Sequence, residues 1–118
     1  DRKKDIIITP GGENISPVKI ENDLIKLDFI EQALVYGDNK PYLVSLIVLA
    51  NNLNNITNEE IEEEIQNLNK TLSKVEKIKK YLIIKEQFTI ENGLLTPTLK
   101  LKRYKIIKKY QNEFQKLY

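Results

Sequence analysis

A lysine stands at the end of a short turn-forming segment near the C-terminus of this chain of 118 residues. Lys100 follows Thr96-Pro97-Thr98-Leu99 and comes before a basic helical pattern. A lysine held on a rigid loop can reach into the cleft of a partner, where its compact ammonium group stabilises negative charge. The plain alternative is a solvated lysine, because most lysines lie on protein surfaces.

The N-terminus carries two further candidates, Arg2 and Lys4, followed by a turn with Gly11 and Gly12. A guanidinium forms forked hydrogen bonds to oxygen atoms. Glycines supply positive φ in turns and allow the backbone to approach a ligand closely. Taken alone, Arg2 and Lys4 would be a charged tail, and the two glycines would only close a hairpin.

The composition excludes several kinds of chemistry. The chain contains no histidine and no cysteine, so it lacks the commonest general base, the commonest metal ligand and any thiolate. No metal site is predicted. The chain has the size of one domain, with no signal-peptide pattern and no apolar run long enough to span a membrane. A cytoplasmic location is therefore expected.

The net charge is +2, but the charges are unevenly distributed. Seven Lys or Arg and one Glu fall between Pro97 and Tyr118, which could form a nucleic-acid or membrane surface. We expect a solvated face instead, with the aromatic side chains on the apolar side and not among the bases. Five Glu fall between Asn58 and Ile65; they point around a helix rather than at one cation, and they favour its N-terminus.

The patterns predict four strands arranged as two pairs, and a fifth strand later in the chain. Asp5 to Thr9 and Glu13 to Ile15 would form a hairpin around the glycine turn. Phe29 to Tyr36 and Tyr42 to Leu49 would pair antiparallel around Gly37-Asp38-Asn39-Lys40-Pro41. Ile78 to Ile84 would be a strand if the preceding helix ends near Ser73.

Three helices should connect and cover these strands. The first starts at Ser16-Pro17, a cap followed by proline, and carries Ile20, Leu24 and Leu27 on one face. The second follows a polar loop at Asn51 to Asn55 and opens with the capping box Thr57 and Glu60. Its apolar residues fit either a short coiled-coil seam or, more simply, an amphipathic helix on a sheet: Ile61, Ile65, Leu68, Leu72 and Val75. The third runs from Lys102 to Leu117, after a loop at Phe88 to Thr98, with one apolar face: Ile107, Tyr110, Phe114 and Leu117.

Two strings that bracket the chain resemble the C-terminal domain of the long-chain acyl-CoA synthetases, which belong to the adenylate-forming (AMP-binding) superfamily. The first runs from Asp1 through Gly-Gly-Glu-Asn-Ile-Ser to Pro17, and the second is Asn92-Gly-Leu-Leu-Thr-Pro-Thr-Leu-Lys-Leu-Lys-Arg103. In the wider superfamily the place of Lys100 reads Ser-Gly-Lys. The resemblance covers nearly the whole chain and is loose only between Asn51 and Leu72.

The resemblance implies an α+β fold, with an N-terminal β-hairpin followed by a small sheet of about three strands and helices packed on it. Residues 1–118 would be the C-terminal mobile domain of an AMP-forming long-chain fatty acid–CoA ligase of lipid metabolism. The large N-terminal domain that binds nucleotide and acyl chain would be absent. The full enzyme would use ATP, magnesium and CoA, whereas this chain alone would be inactive and bind none of them tightly.

The resemblance also assigns roles to the candidate residues. Lys100 would contact the acyl carboxylate and the phosphate during adenylation, and Arg2 would contact the ribose and phosphates of the nucleotide. Lys4 would be the hinge about which the domain rotates. The turn at Gly11 and Gly12 would lie along the pantetheine channel of CoA, and which glycine lines it stays open.

The partners implied are the enzyme's own N-terminal domain, a long-chain fatty acid and CoA, with no nucleic acid; the full-length enzyme could contact a membrane peripherally. Two alternatives within the class are a fatty acyl-AMP ligase and an acyl-carrier-protein synthetase, because the acceptor cannot be identified from these residues. An alternative of a different class is a free-standing interaction module that uses the basic helix.

Overall fold

A computed structural model describes residues 6–50 and 57–118. Three predictions fall outside the described residues. They concern Arg2 and Lys4, the first residue of the predicted first strand, and the polar loop at 51–55. The strands are β1 (Ile7–Ile8), β2 (Asn14–Ile15), β3 (Ile30–Tyr36), β4 (Leu43–Leu49) and β5 (Ile78–Ile84); the helices are α1 (Pro17–Ile25), α2 (Asn58–Asn69), α3 (Arg103–Lys109) and α4 (Gln111–Lys116).

The predicted N-terminal hairpin is present, with shorter strands than the sequence pattern suggests. β1 and β2 pair antiparallel, with Ile7 opposite Ile15. Thr9 N donates to Glu13 O at 2.9 Å and Gly12 N donates to Thr9 O at 2.9 Å, which closes the turn. Ile7 and Ile15 are both buried, so the hairpin is attached to the main core by its apolar side.

The second sheet has three strands in the order β3-β4-β5. β3 and β4 are antiparallel, as the turn between them predicts. β5 runs parallel to β4, and α2 lies in the crossover that a parallel pair requires. The predicted α+β fold, with a hairpin and a small sheet of three strands, is confirmed.

The sheet separates two apolar clusters because successive side chains of a strand point to opposite faces. On β4, Leu43 and Ile47 face a cluster formed with α1 and α2, whereas Val44, Leu46 and Val48 face a cluster formed with the C-terminal segment. Both faces of β4 are therefore covered, which explains its nearly continuous apolar sequence.

The predicted coiled-coil alternative for α2 is wrong. The helix ends at Asn69, so two of the five spaced apolar residues, Leu72 and Val75, lie beyond it, and a 3-10 turn covers Lys74–Glu76. The buried side chain of Asn69 binds the main chain of Ile78: Nδ2 donates to its O at 2.8 Å, and Oδ1 accepts from its N at 2.9 Å. These bonds fix the end of α2 to the start of β5.

The prediction of a single C-terminal helix is also wrong. Tyr110 has the non-helical angles φ −105° and ψ 20°, and it separates α3 from α4. The resulting helices pack on the second cluster mainly through Ile106 and Phe114, which are fully buried. Ile107 and Leu117 also pack against this cluster, but their side chains are only partly buried. The deep contact is thus made by Ile106, one residue before the predicted Ile107.

Within the described ranges, no helix has the length and apolar character needed to cross a membrane.

Candidate functional site

Lys100 lies on a tightly closed loop, here called the lysine loop (Leu95–Leu101). Its two ends, Leu95 and Leu101, form an antiparallel bridge. Across the loop, Thr96 N donates to Lys100 O at 2.8 Å, and Leu99 N donates to Thr96 O at 2.8 Å. Pro97 fixes φ within the turn. The backbone of Lys100 is therefore held on both sides.

The side chain of Thr96 strengthens this closure. Its Oγ1 accepts a hydrogen bond from Lys100 N at 3.1 Å and lies 3.0 Å from Thr98 Oγ1. The main-chain N and O of Lys100 are therefore both hydrogen-bonded, while its side chain is exposed; its catalytic role stays a prediction. Such a loop presents an ammonium group without the cost of ordering the backbone during reaction.

Leu99 adopts a left-handed conformation, with φ 65°, directly before Lys100. Hairpin loops of three residues place their last loop residue in this conformation, and glycine usually occupies it. A leucine there costs roughly 1–2 kcal/mol. Its side chain is 68% exposed, so local packing of the leucine does not offset this cost. Sequence reasoning did not identify this strain, although a leucine in place of the glycine of Ser-Gly-Lys was the available signal.

A buried ion pair fastens the segment that follows the loop. Arg103, the first residue of α3, donates to both carboxylate oxygens of Glu21 on α1. Glu21 Oε2 also accepts from Val35 N of β3 at 2.7 Å. Glu21 is only 5% exposed. Charge-assisted, forked pairs of this type are stronger than neutral hydrogen bonds and also fix the geometry of the two groups.

Sequence reasoning missed this pair. A signal for Glu21 was present, because it falls in the buried stripe of α1 at helical spacing with Pro17, Ile20 and Leu24. A carboxylate on such a stripe needs a buried partner. Its identity depends on tertiary structure, because Arg103 is 82 positions away.

The lysine loop and the ion pair share one open cleft of about 1060 Å³. Its wall includes Glu21, Ile25, Leu99, Lys100, Arg103 and Tyr104. Ile25, Leu99 and Tyr104 are large side chains that remain exposed. The cleft therefore combines a cationic loop with apolar surface.

The structure does not bring the glycine turn into this cleft, since neither Gly11 nor Gly12 lines it. Both glycines are exposed. Gly12 has φ +87°, so a side chain there would be strained, whereas a Cβ on Gly11 would meet only ordinary contacts, at 3.6 Å or more. The turn conformation requires glycine at position 12 and not at position 11. The CoA-channel role of either glycine stays a prediction.

Two acidic residues of α2 form structural hydrogen bonds. Glu60 completes the capping box with Thr57. Glu62 accepts from the Tyr81 hydroxyl at 3.0 Å; burial, together with this acceptor, raises the pKa of Tyr81 to about 12. Across residues 6–50 and 57–118, no group of three or more acidic, His or Cys side chains could hold a metal ion. The magnesium implied by the resemblance therefore has no ligand cluster in this part of the chain.

Most aromatic residues of the C-terminal segment, residues 103–118, pack against the sheet. Phe114 stacks on Tyr36 with ring centroids 4.4 Å apart, and Tyr118 stacks on Tyr42 at 4.8 Å. The expectation is wrong for Tyr104, which is 78% exposed between basic neighbours and lines the cleft.

Comparison with known proteins places this geometry in a family context. Residues 4–118 match the family model described as the AMP-binding enzyme C-terminal domain. The long-chain-fatty-acid–CoA ligase FadD15 of Mycobacterium tuberculosis is 30% identical over 138 residues, covering 99% of this chain and 23% of that protein. The chloroplastic long-chain-fatty-acid–[acyl-carrier-protein] ligase AEE15 of Arabidopsis thaliana is 34% identical over 124 residues, covering 99% of this chain and 17% of that protein.

A solved structure shows the same fold. The adenylation domain of a carboxylate reductase from Mycobacterium chelonae superposes with a TM-score of 0.88 at 25% identity, over 100% of this chain and 20% of that one. The resemblance drawn from the two bracketing strings is confirmed. The chain spans about a fifth of the length of these relatives.

Proposed function

We propose that this chain, which belongs to the family of AMP-binding enzyme C-terminal domains, is the C-terminal mobile domain of an ATP-dependent long-chain fatty acid–CoA ligase. The observation that carries the proposal is the preorganised lysine loop, in a chain that aligns over 99% of its length with such a ligase. A larger domain that binds nucleotide and acyl chain would supply the rest of the active site.

In the first half-reaction, a carboxylate oxygen of the fatty acid attacks the α-phosphorus of ATP, and the bond to pyrophosphate breaks. Negative charge builds on the phosphate oxygens in the transition state. Lys100 would enter the cleft of the larger domain and place its ammonium group beside these oxygens. Because the loop is already closed by Thr96, the contact is made without reorganising the backbone. Arg2 would hold the ribose and phosphates of the nucleotide.

In the second half-reaction, the thiol sulfur of CoA attacks the acyl carbon, and AMP leaves with the bonding electron pair. The domain would rotate about Lys4 and exchange the lysine loop for the glycine turn. Gly11 and Gly12 are exposed and do not line the lysine cleft, which is compatible with a second working face at the turn.

The acceptor of the acyl group needs a direct test. The names of the two relatives given above state different acceptors, CoA for one and acyl-carrier protein for the other. We propose CoA. A cytoplasmic location and peripheral membrane contact stay predictions.

The experiment uses the full-length protein that contains this chain, incubated with a long-chain fatty acid, ATP and magnesium. We expect release of pyrophosphate and AMP, with acyl-CoA formed when CoA is added and not when a phosphopantetheinylated carrier protein replaces it. Thioester on the carrier protein alone would shift the assignment to a carrier-protein ligase. Absence of any fatty-acid-dependent pyrophosphate would overturn the proposal.

A further inference from the structure

We propose that the buried pair of Glu21 and Arg103 positions Lys100 for the adenylation step. This inference rests on the proposed function, and it adds two residues that act through the lysine rather than on the substrate. Arg103 follows Lys100 by three residues and begins α3, so it can hold the end of the loop that carries the lysine.

The pair ties three elements together at the base of the lysine loop. Arg103 brings α3, Glu21 brings α1, and the bond from Val35 N brings β3. A second attachment lies one residue earlier, where Lys102 N donates to Leu94 O at 2.9 Å. The loop from Leu95 to Leu101 is therefore held at its neck by the main chain and at its C-terminal end by the ion pair.

A charged pair is informative here because burial of charge is costly. Replacing a buried ion pair by apolar residues is often neutral or stabilising, so stability alone gives little reason for one. A forked guanidinium–carboxylate contact fixes distance and direction in a way that apolar packing does not. The side chains of Arg103 and Glu21 are 15% and 7% exposed, so solvent screening of the pair is weak. We infer that the pair supplies orientation to the residues that precede α3.

The same helix offers a matched control at its other end. Lys109 forms an ion pair with Glu86, with side chains 46% and 36% exposed. The hydrogen bond from Lys109, and to a smaller extent the one from Tyr110, holds the pKa of Glu86 below its ordinary value. Neither Lys109 nor Glu86 lines the cleft. Glu86, which follows β5, is the carboxylate partner of an α3 cation, so Glu86→Gln makes the same chemical change away from the cleft.

The test measures the two half-reactions separately in the full-length enzyme. Glu21→Gln keeps the shape but removes the charge, and Arg103→Lys keeps the charge but removes the fork. Each should slow fatty-acid-dependent pyrophosphate release by about ten- to a hundredfold, because small misplacement of a catalytic group has effects of this order. Thioester formation from preformed acyl-AMP should remain close to wild type. Glu86→Gln should leave both steps unchanged.

A double-mutant cycle with Lys100→Ala decides whether the pair acts through the lysine. In the Lys100→Ala background, Glu21→Gln and Arg103→Lys should cause no further loss of adenylation. Independent, multiplying losses, or equal losses in both half-reactions, would show a general structural role and overturn the inference. If Glu21→Gln does not fold, Arg103→Lys alone decides it.

The failure of this inference is distinguishable from failure of the proposed function. A wild-type enzyme that forms no acyl-AMP would overturn both. A wild-type enzyme that forms acyl-AMP, with Glu21→Gln and Arg103→Lys variants of equal rate, would overturn the positioning role alone.

Discussion

At the scale of single residues, Leu99 is where the backbone preference of a residue conflicts with the conformation of its loop. The lysine loop needs a left-handed residue at this position, with φ 65°, and a leucine fills it with its side chain largely in solvent. Strain of this kind persists where the surrounding contacts determine the backbone, here the hydrogen bonds of Thr96. The leucine lies beside Lys100 in the wall of the cleft, so it adds apolar surface where the larger domain would dock.

Replacement of this leucine by glycine should therefore stabilise the chain. Leu99→Gly removes an unfavourable φ and loses little packing, and we expect the free energy of unfolding to rise by up to about 1 kcal/mol. Urea denaturation of the 118-residue chain measures it. Thr98→Gly is the matched control in the same loop, and it should be destabilising because it adds flexibility and removes the hydroxyl contact with Thr96. Equal effects of the two substitutions would show that Leu99 is not strained.

At the scale of elements, the end of α2 shows how one side chain joins a helix to a strand. The side chain of Asn69 forms hydrogen bonds with both the main-chain N and the main-chain O of Ile78, at the start of β5. The crossover between β4 and β5 therefore ends at a defined residue.

Removal of this amide should leave two buried main-chain groups without partners. Asn69→Ala should lower the free energy of unfolding by about 2–4 kcal/mol, since each unsatisfied buried group costs about 1–3 kcal/mol. Asn67→Ala, on the exposed side of the same helix, should stay within about 0.5 kcal/mol of wild type. Thermal and urea unfolding followed by circular dichroism would check both. A loss for Asn69→Ala no larger than for Asn67→Ala would mean that these bonds add nothing to stability.

Much of this architecture could be predicted because its signals are local. Ser16 caps α1, Thr57 and Glu60 form the expected capping box, and the two antiparallel pairs follow their turns. The parallel direction of β5 and the break at Tyr110 could not be predicted, because they depend on packing against the sheet rather than on periodicity. The same holds for the site: the rigid lysine loop was encoded in its turn residues, whereas the pair of Glu21 and Arg103 exists only after folding.

At the scale of the whole molecule, the proposed function requires a domain that works in two orientations, with the exposed glycine turn outside the lining of the lysine cleft. Exchange of faces requires a backbone position that can change φ and ψ, and Lys4 is the residue proposed for it. Lys4→Pro in the full-length enzyme fixes φ and should hold one orientation. Acyl-AMP formation should then survive better than CoA transfer.

Lys4→Ala is the matched control for this hinge prediction, because it removes the side chain while the backbone stays free to rotate. It should leave the balance between the two half-reactions as in wild type, measured by pyrophosphate release and thioester formation. Unchanged rates of both steps in Lys4→Pro would exclude Lys4 as the hinge.

The most direct test of the account is the Lys100→Ala variant of the full-length enzyme, with both half-reactions timed separately. Loss of one preorganised electrostatic contact should slow acyl-AMP formation on the order of a hundred- to a thousandfold. The same variant, given preformed acyl-AMP, should make acyl-CoA at a near-normal rate. Lys108→Ala, an exposed lysine of α3 outside the cleft, should affect neither step. Equal loss in both steps, or no loss in either, would contradict the claim that Lys100 is the catalytic residue of adenylation.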